Sequence, residues 1–399
     1  MHEHHGLIVT AFLILIFGVV SKLSEKSSIT APMVFVAVGL FISSIGLFEV
    51  SIEMSLVKTL AELTLVIILF TDASMIQFNK LADALSGIPA RLLIVGLPLT
   101  MISGTVVGYL VFPSWSLWVI FLVALVLSPT DAALGQAVIK SEAVPKNIRD
   151  SISVESGLND GIALPPILLC IAALSAPDGM LPEGGHWLSY LALQLTLGPI
   201  IGGLIGWAGG RIIQYSVDRN WMDPVFQQLS SISLAIIAFA CAEMFHGNGF
   251  IAAFFAGLLL GVKTLKVRHR IQEFGEAEGQ LLSLSIFLLL GLVAIPIFYE
   301  FWSLNTLLYA LLSITFIRML PVFISLLGVN ISTYSKLFVG WFGPRGIASI
   351  LYLLIIIGEI GFVGYEQPLS VIVLTVLLST FLHGISALYL SKKFTGAKN

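Results

Sequence analysis

Charge is scarce in this 399-residue chain. Asp, Glu, Lys and Arg make up 11% of it, against about 25% in a soluble domain. That shortage excludes an ordinary water-soluble fold. The formal net charge of −3 excludes the broad basic surface that a nucleic-acid partner needs. Cysteine is nearly absent: Cys170 and Cys241 are the two present, both in apolar stretches. A disulfide framework and a thiolate metal site are thereby excluded. The segment Met1–Gly6 has three histidines but no Lys or Arg. It makes a poor signal-peptide start, so the first hydrophobic segment is expected to remain as a membrane span. No nucleophile or metal constellation stands out, so neither an enzyme nor a cofactor is expected.

What the chain has is apolar length. Hydrophobic residues make up 57% of it, and the mean hydropathy is +0.99. A helix that crosses a bilayer needs roughly 20 apolar residues. Thirteen stretches qualify: 6–22, 31–49, 58–78, 91–112, 116–139, 150–175, 187–213, 226–246, 249–263, 278–299, 303–328, 336–358 and 368–391. Loop charges give the orientation. With the N-terminus outside and the C-terminus in the cytoplasm, the inner loops hold Lys22, Lys26, Lys80, Arg91, Lys140, Lys146, Arg149, Arg211, Arg219, Lys263, Lys266, Arg268, Arg270, Lys336, Lys392, Lys393 and Lys398. The outer loops hold only Lys58. Cytoplasmic loops carry the excess of Lys and Arg, so this split supports an odd number of spans in a cell membrane.

Spans five and twelve share an interruption. One carries Ser128-Pro129-Thr130-Asp131 and the other Gly343-Pro344-Arg345-Gly346. Proline inside a helix removes a hydrogen bond and frees a carbonyl. If span seven is a lone connector, spans one to six and eight to thirteen form two six-helix units of opposite topology. Paired broken helices in inverted repeats are a mark of secondary transporters, with the site at the midplane. The expected fold class is therefore an all-α polytopic membrane protein of about thirteen helices. Its two inverted repeats would have broken helices that cross near the midplane.

Span six adds Glu155-Ser156-Gly157-Leu158-Asn159-Asp160. Asp131 lies eight residues before the end of span five, and Asp160 ten residues past the start of span six. At about 1.5 Å per residue, both come to roughly 12–15 Å from the inner side. An acid at that depth is costly and marks a functional site. The deep charges are Asp131, Glu155 and Asp160 against Arg318 and Arg345. Three acids against two bases leave one net negative charge, which one proton or one monovalent cation would neutralise. Competition between the two follows. Asn159 supplies an amide where another acid would titrate. Glu155 needs a proton or a partner, and both Arg318 and Arg345 are candidates on depth. Thr130 and Ser156 offer oxygen beside the acids. Asp72 reads as an acid solvated at a helix end, His383 as a hydrogen-bonded core residue, and Gly202-Gly203 and Gly209-Gly210 as close helix packing.

Taken in order, "SPTDAA", "ESGLNDG" and "GPRG" on spans five, six and twelve resemble the monovalent cation:proton antiporters. The Asn-Asp pair is similar to the sodium/proton exchanger branch, NhaP-like in bacteria and archaea. The resemblance implies a homodimer with a mobile ion-translocating core, about 91–175 and 303–391. It implies a dimerisation domain from about 6–78 and 226–299, with 187–213 as connector. It places the Na⁺ ligands on Thr130 (by its backbone carbonyl), Asp131, Ser156 and Asp160, with Glu155 in support. A buried Glu–Arg pair would fall on Glu155 and Arg318. It further implies electroneutral exchange of one Na⁺ or Li⁺ for one proton, with alternating access and competition at Asp160. K⁺/H⁺ exchange by the same machinery is the alternative. A cation channel is disfavoured because no filter-like repeat is present.

Overall fold

The computed structural model describes residues 3–24, 27–46, 54–75, 87–175, 186–262 and 265–396. Lys26, Lys80, Lys263, Lys398 and the last three residues of the second and of the third expected spans lie outside the described residues.

Among the described residues the fold is helical throughout, with no strand. The helices are α1 (Glu3–Ser24), α2 (Ala31–Ser44), α3 (Met54–Met75), α4 (Ile88–Val111), α5 (Leu117–Val126), α6 (Ala132–Ile139), α7 (Lys146–Ser175) and α8 (His186–Asp218). They continue as α9 (Pro224–Met244), α10 (Gly249–Leu258), α11 (Leu265–Leu289), α12 (Leu304–Ile314), α13 (Phe316–Ser325), α14 (Thr333–Trp341), α15 (Ile347–Ile360) and α16 (Glu366–Gly396). Several starts are written in the sequence as caps. The side chains of Ser116, Asp223, Asn248 and Ser332 accept from backbone N–H groups in the first turns of α5, α9, α10 and α14. Ser303 and Thr306 form a reciprocal capping box at α12.

Seven stretches of the described residues are long and apolar enough to cross a membrane as they stand. The helices of expected spans five and twelve are shorter because those spans are interrupted. Spans five and twelve break where proline and glycine foretold. The expected span 303–328 is present as Leu304–Ser325, but within it Thr315 (φ −103°, ψ −94°) leaves helical geometry and separates α12 from α13. The short ninth span is helical only to Leu258. Two wide π turns, Leu92–Gly96 and Leu290–Ala294, each end two residues before a proline, Pro98 and Pro296. A widened turn accommodates the ring and the missing N–H.

The chain forms two compact units. The first comprises Met1–Met54, Gly87–Ser156 and Ser283–Asn399. Here α2 lies backbone to backbone on the π turn of Leu290–Ala294. A Cβ on Gly39 would come 2.8 Å from Leu292 N. An apolar cluster of Ile88, Leu92, Val138, Ile148, Val322 and Phe342 packs α4, α6, α7 and α13 around the second break.

The second unit comprises Ser55–Ser86 and Gly157–Leu282. Its core is a seam between α8 and α10. Gly198, Gly202, Gly206 and Gly210 recur every four residues along α8. A Cβ at Gly202 would lie 2.6 Å from Ala252 Cα, and one at Gly206 2.7 Å from Ala256 Cα. Lipid supplies no hydrophobic push between helices, so small residues that let backbones touch do the work. The expected close packing at Gly202-Gly203 and Gly209-Gly210 is borne out. Arg268 Nη2 and Gln272 Nε2 both donate to Ser74 O at the end of α3, at 2.8 and 3.0 Å.

Candidate cation site at the crossed helix breaks

The first break runs from Leu127 to Asp131, between α5 and α6. The second runs from Phe342 to Gly346, between α14 and α15. Each strands backbone groups away from water, and each unmet group must find a partner. They find one another. Asp131 N–H donates to Pro344 O at 2.8 Å. Asp131 Oδ2 accepts from Ile347 N–H at 2.7 Å, at the start of α15. Ser349 Oγ donates to Val126 O at 2.8 Å, at the end of α5. The breaks therefore cross in contact, and both N-termini and both C-termini of the half-helices converge there.

Glycine makes the crossing possible. Gly346 touches the Asp131 side chain so closely that any Cβ would overlap the carboxylate. A Cβ on Gly343 would lie 2.9 Å from Thr130 Cγ2 and 3.0 Å from Arg318 Cζ.

The remaining expected residues divide into pairs. Thr130 Oγ1 and Ser156 Oγ share a hydrogen bond at 2.9 Å, which ties the first break to α7. Arg318 Nη2 meets Glu155 Oε1 at 2.6 Å, with both side chains buried. The pair left open between Arg318 and Arg345 is thus Glu155–Arg318. The contact is close but lacks hydrogen-bonding angles. Glu155 Oε2, Arg318 Nε and Nη1 and Arg345 Nε have no hydrogen-bond partner among the described residues. Arg345 turns to carbonyls instead: Nη1 donates to Gly343 O at 2.8 Å and Nη2 to Ser313 O at 3.4 Å, beside the Thr315 break. Asn159 and Asp160 are also buried. They follow one turn further along α7, so Asp160 shares a helix face with Ser156, and Asn159 with Glu155.

Sequence reasoning did not connect a second ring of residues to the breaks. Ser379 Oγ accepts from Arg345 N–H at 2.6 Å. His383, expected as a hydrogen-bonded core residue, holds Trp341 O by Nε2 at 2.8 Å, while Nδ1 faces Ser379 Oγ at 3.1 Å. Tyr309 Oη donates to Gly104 O at 3.0 Å. Ser379 and His383 stand four apart on α16, a spacing that one helix face predicts. Nothing local says that this face serves the backbone of a broken helix.

A sequence model described as "sodium/hydrogen exchanger, transmembrane" matches residues 8–393. The chain is similar to the K⁺/H⁺ antiporter NhaP of Alkalimonas amylolytica, 26% identical over 353 residues. That alignment covers 87% of this chain and 60% of the relative. It is similar to the K⁺/H⁺ antiporter NhaP2 of Shewanella sp. (strain ANA-3), with 26% identity over 95% of this chain and 65% of the relative. It also resembles the Na⁺/H⁺ antiporter NhaG of Bacillus atrophaeus, with 25% identity over 96% of this chain and 74% of the relative. The chain thus spans less than two thirds of the length of the first two relatives. In fold it is similar to the sodium proton antiporter MjNhaP1 of Methanocaldococcus jannaschii at pH 8. The TM-score is 0.77 at 18% identity, over 96% of this chain and 100% of the other.

Proposed function

The chain belongs to the sodium/hydrogen exchanger family, and from that premise we propose that this multi-pass membrane protein exchanges a monovalent cation for a proton. The observation that carries the reading is the crossing of two broken helices beside buried acids. Unwound backbone at membrane depth is tolerated where it lines a cavity, and half-helix ends provide both dipole signs for an ion. The orphaned polar atoms of Glu155, Arg318 and Arg345 support a solvated interior, because buried polar groups are rarely left dry.

The cation ligands we assign are Asp160, Asp131, Ser156 and the Thr130 carbonyl, with Asn159 and Glu155 in support. Glu155–Arg318 is a fixed pair, and Arg345 balances charge at the second break. With one net negative charge among the five deep groups, a cation and a proton replace each other, one for one. Na⁺ or Li⁺ is the substrate of this reading. K⁺ is the second reading, favoured by the names of the Alkalimonas and Shewanella relatives. Alternating access in a homodimer, with the N-terminus outside a cell membrane, completes the proposal. Its physiological task would be pH homeostasis.

The test is exchange in proteoliposomes. Addition of Na⁺ or Li⁺ should collapse a preset ΔpH, and clamping the voltage should leave the rate unchanged. K⁺ run in parallel separates the two readings. Asp160→Asn should abolish the signal, and undiminished exchange in that variant would remove Asp160 from the mechanism. Apparent cation affinity should rise with pH, because each proton released from the exchanging carboxylate frees it for the cation. A flat dependence would contradict competition.

A further inference from the structure

The C-terminal end of α8 carries an exposed ladder in which aromatic and cationic residues alternate every four positions: Trp207, Arg211, Tyr215 and Arg219. The Arg211 guanidinium lies 5.4 Å from the Trp207 ring centroid, and that of Arg219 lies 4.9 Å from the Tyr215 ring. The helix then closes on Asn220 in the left-handed conformation (φ 56°). The Trp221 N–H turns back to Ser216 O at 2.8 Å, the pattern of a Schellman cap. That cap folds Trp221 onto the ladder, 5.7 Å from Arg219 and edge-on to Tyr215 at 5.7 Å. All five side chains are exposed.

Neither arginine has an acid partner among the described residues. The nearest acids in sequence are engaged elsewhere: Asp218 accepts from Gln214 at 2.7 Å, and Asp223 caps α9 at 2.8 Å. Two exposed cations, held over aromatic faces and without an acid partner among the described residues, form one half of an ion pair. Depth identifies the other half. The apolar pattern ends near residue 213, while α8 runs on to Asp218, so the ladder straddles the edge of the hydrocarbon layer. Arg211 sits at that edge, and Arg219 stands about 12 Å further along the axis, in the headgroup layer. Trp and Tyr favour this level, and arginine binds phosphate oxygens in a fork.

We propose that this end of α8 is a binding site for an anionic phospholipid, its phosphate held by Arg211 and its headgroup by Arg219 between Tyr215 and Trp221. A zwitterionic lipid places its own cation against the second arginine and is excluded.

The test uses the purified full chain in detergent, titrated with phosphatidylglycerol or phosphatidylcholine, with the thermal unfolding midpoint as readout. Phosphatidylglycerol should raise the midpoint and phosphatidylcholine should not. The R211Q/R219Q variant should lose the effect, with lipid affinity falling about fivefold for each arginine removed. R211K/R219K should retain the charge and part of the affinity, and it stands in should the double glutamine variant fail to fold. Equal shifts from both lipids would overturn the proposal, as would an undiminished phosphatidylglycerol shift in R211Q/R219Q. So would a lipid-independent change of oligomeric state in that variant, because the ladder would then be a contact between copies. Exchange activity in neutral vesicles is expected to stay at the parent level in both variants.

Discussion

The two helix breaks are built alike and charged oppositely. The first ends on Asp131, and the second carries Arg345. The acid reaches out of its own break to the N–H end of α15. The base bends back to the carbonyls of Gly343 and Ser313. Each charge thus sits at the dipole end that welcomes it: an anion at a helix N-terminus, a cation at exposed carbonyls. The second break is held from two sides. It takes bonds from Asp131 across the crossing and from Ser379 and His383 on α16. The first break is tied by its neighbour across the crossing, by Ser349 and, at Thr130, by the hydroxyl of Ser156.

The largest test is set beside the breaks. Arg318→Leu strands the Glu155 carboxylate in a buried site, at a cost of about 3–5 kcal/mol. Glu155→Gln combined with Arg318→Leu should return much of that stability in a thermal or denaturant titration. If the double variant is no better than the single, the pair is not the counter-ion contact that its 2.6 Å separation indicates.

Asp131 comes next and separates charge from hydrogen bonding at the crossing. Asp131→Ala leaves the Ile347 N–H without its acceptor, costing about 1–3 kcal/mol. Asp131→Asn keeps an oxygen there and should restore most of the stability but not the exchange. Equal stability of the Ala and Asn variants would mean that the carboxylate does not cap α15.

How much of this was legible follows from which residues force the backbone. Pro129 and Pro344 announce their breaks because a proline ring removes a donor wherever it sits. The π turns are legible in principle from Pro98 and Pro296. The Thr315 break was not legible: the nearest proline, Pro321, lies six residues on and inside α13. The acids and arginines were found because charge in an apolar run is conspicuous. Their pairing was legible through the resemblance, which implied Glu155–Arg318, but not through depth, which leaves Arg318 and Arg345 equivalent. What separates them is tertiary: Arg345, being part of a break, is drawn to its carbonyls. Ser349 and Ser379 stayed hidden, and the service of His383 to the second break with them, because a polar residue in a membrane helix looks the same whether it bonds its own turn or another helix.

The smallest effect sharpens the comparison most. Ser379→Ala removes the acceptor for the Arg345 N–H, and Ser349→Ala removes the donor to Val126 O. Each deletes a single bond to stranded backbone, so each should cost about 1 kcal/mol. Their consequences for exchange should differ. Ser379 joins the second break to α16, and its loss leaves the crossing itself intact. Ser349 joins the two breaks, and its loss frees the end of α5 just before Thr130. Exchange kinetics should therefore show a weakened apparent cation affinity in Ser349→Ala and an affinity near the parent's in Ser379→Ala. The reverse pattern would mean that the second break, rather than the first, sets the geometry at the cation.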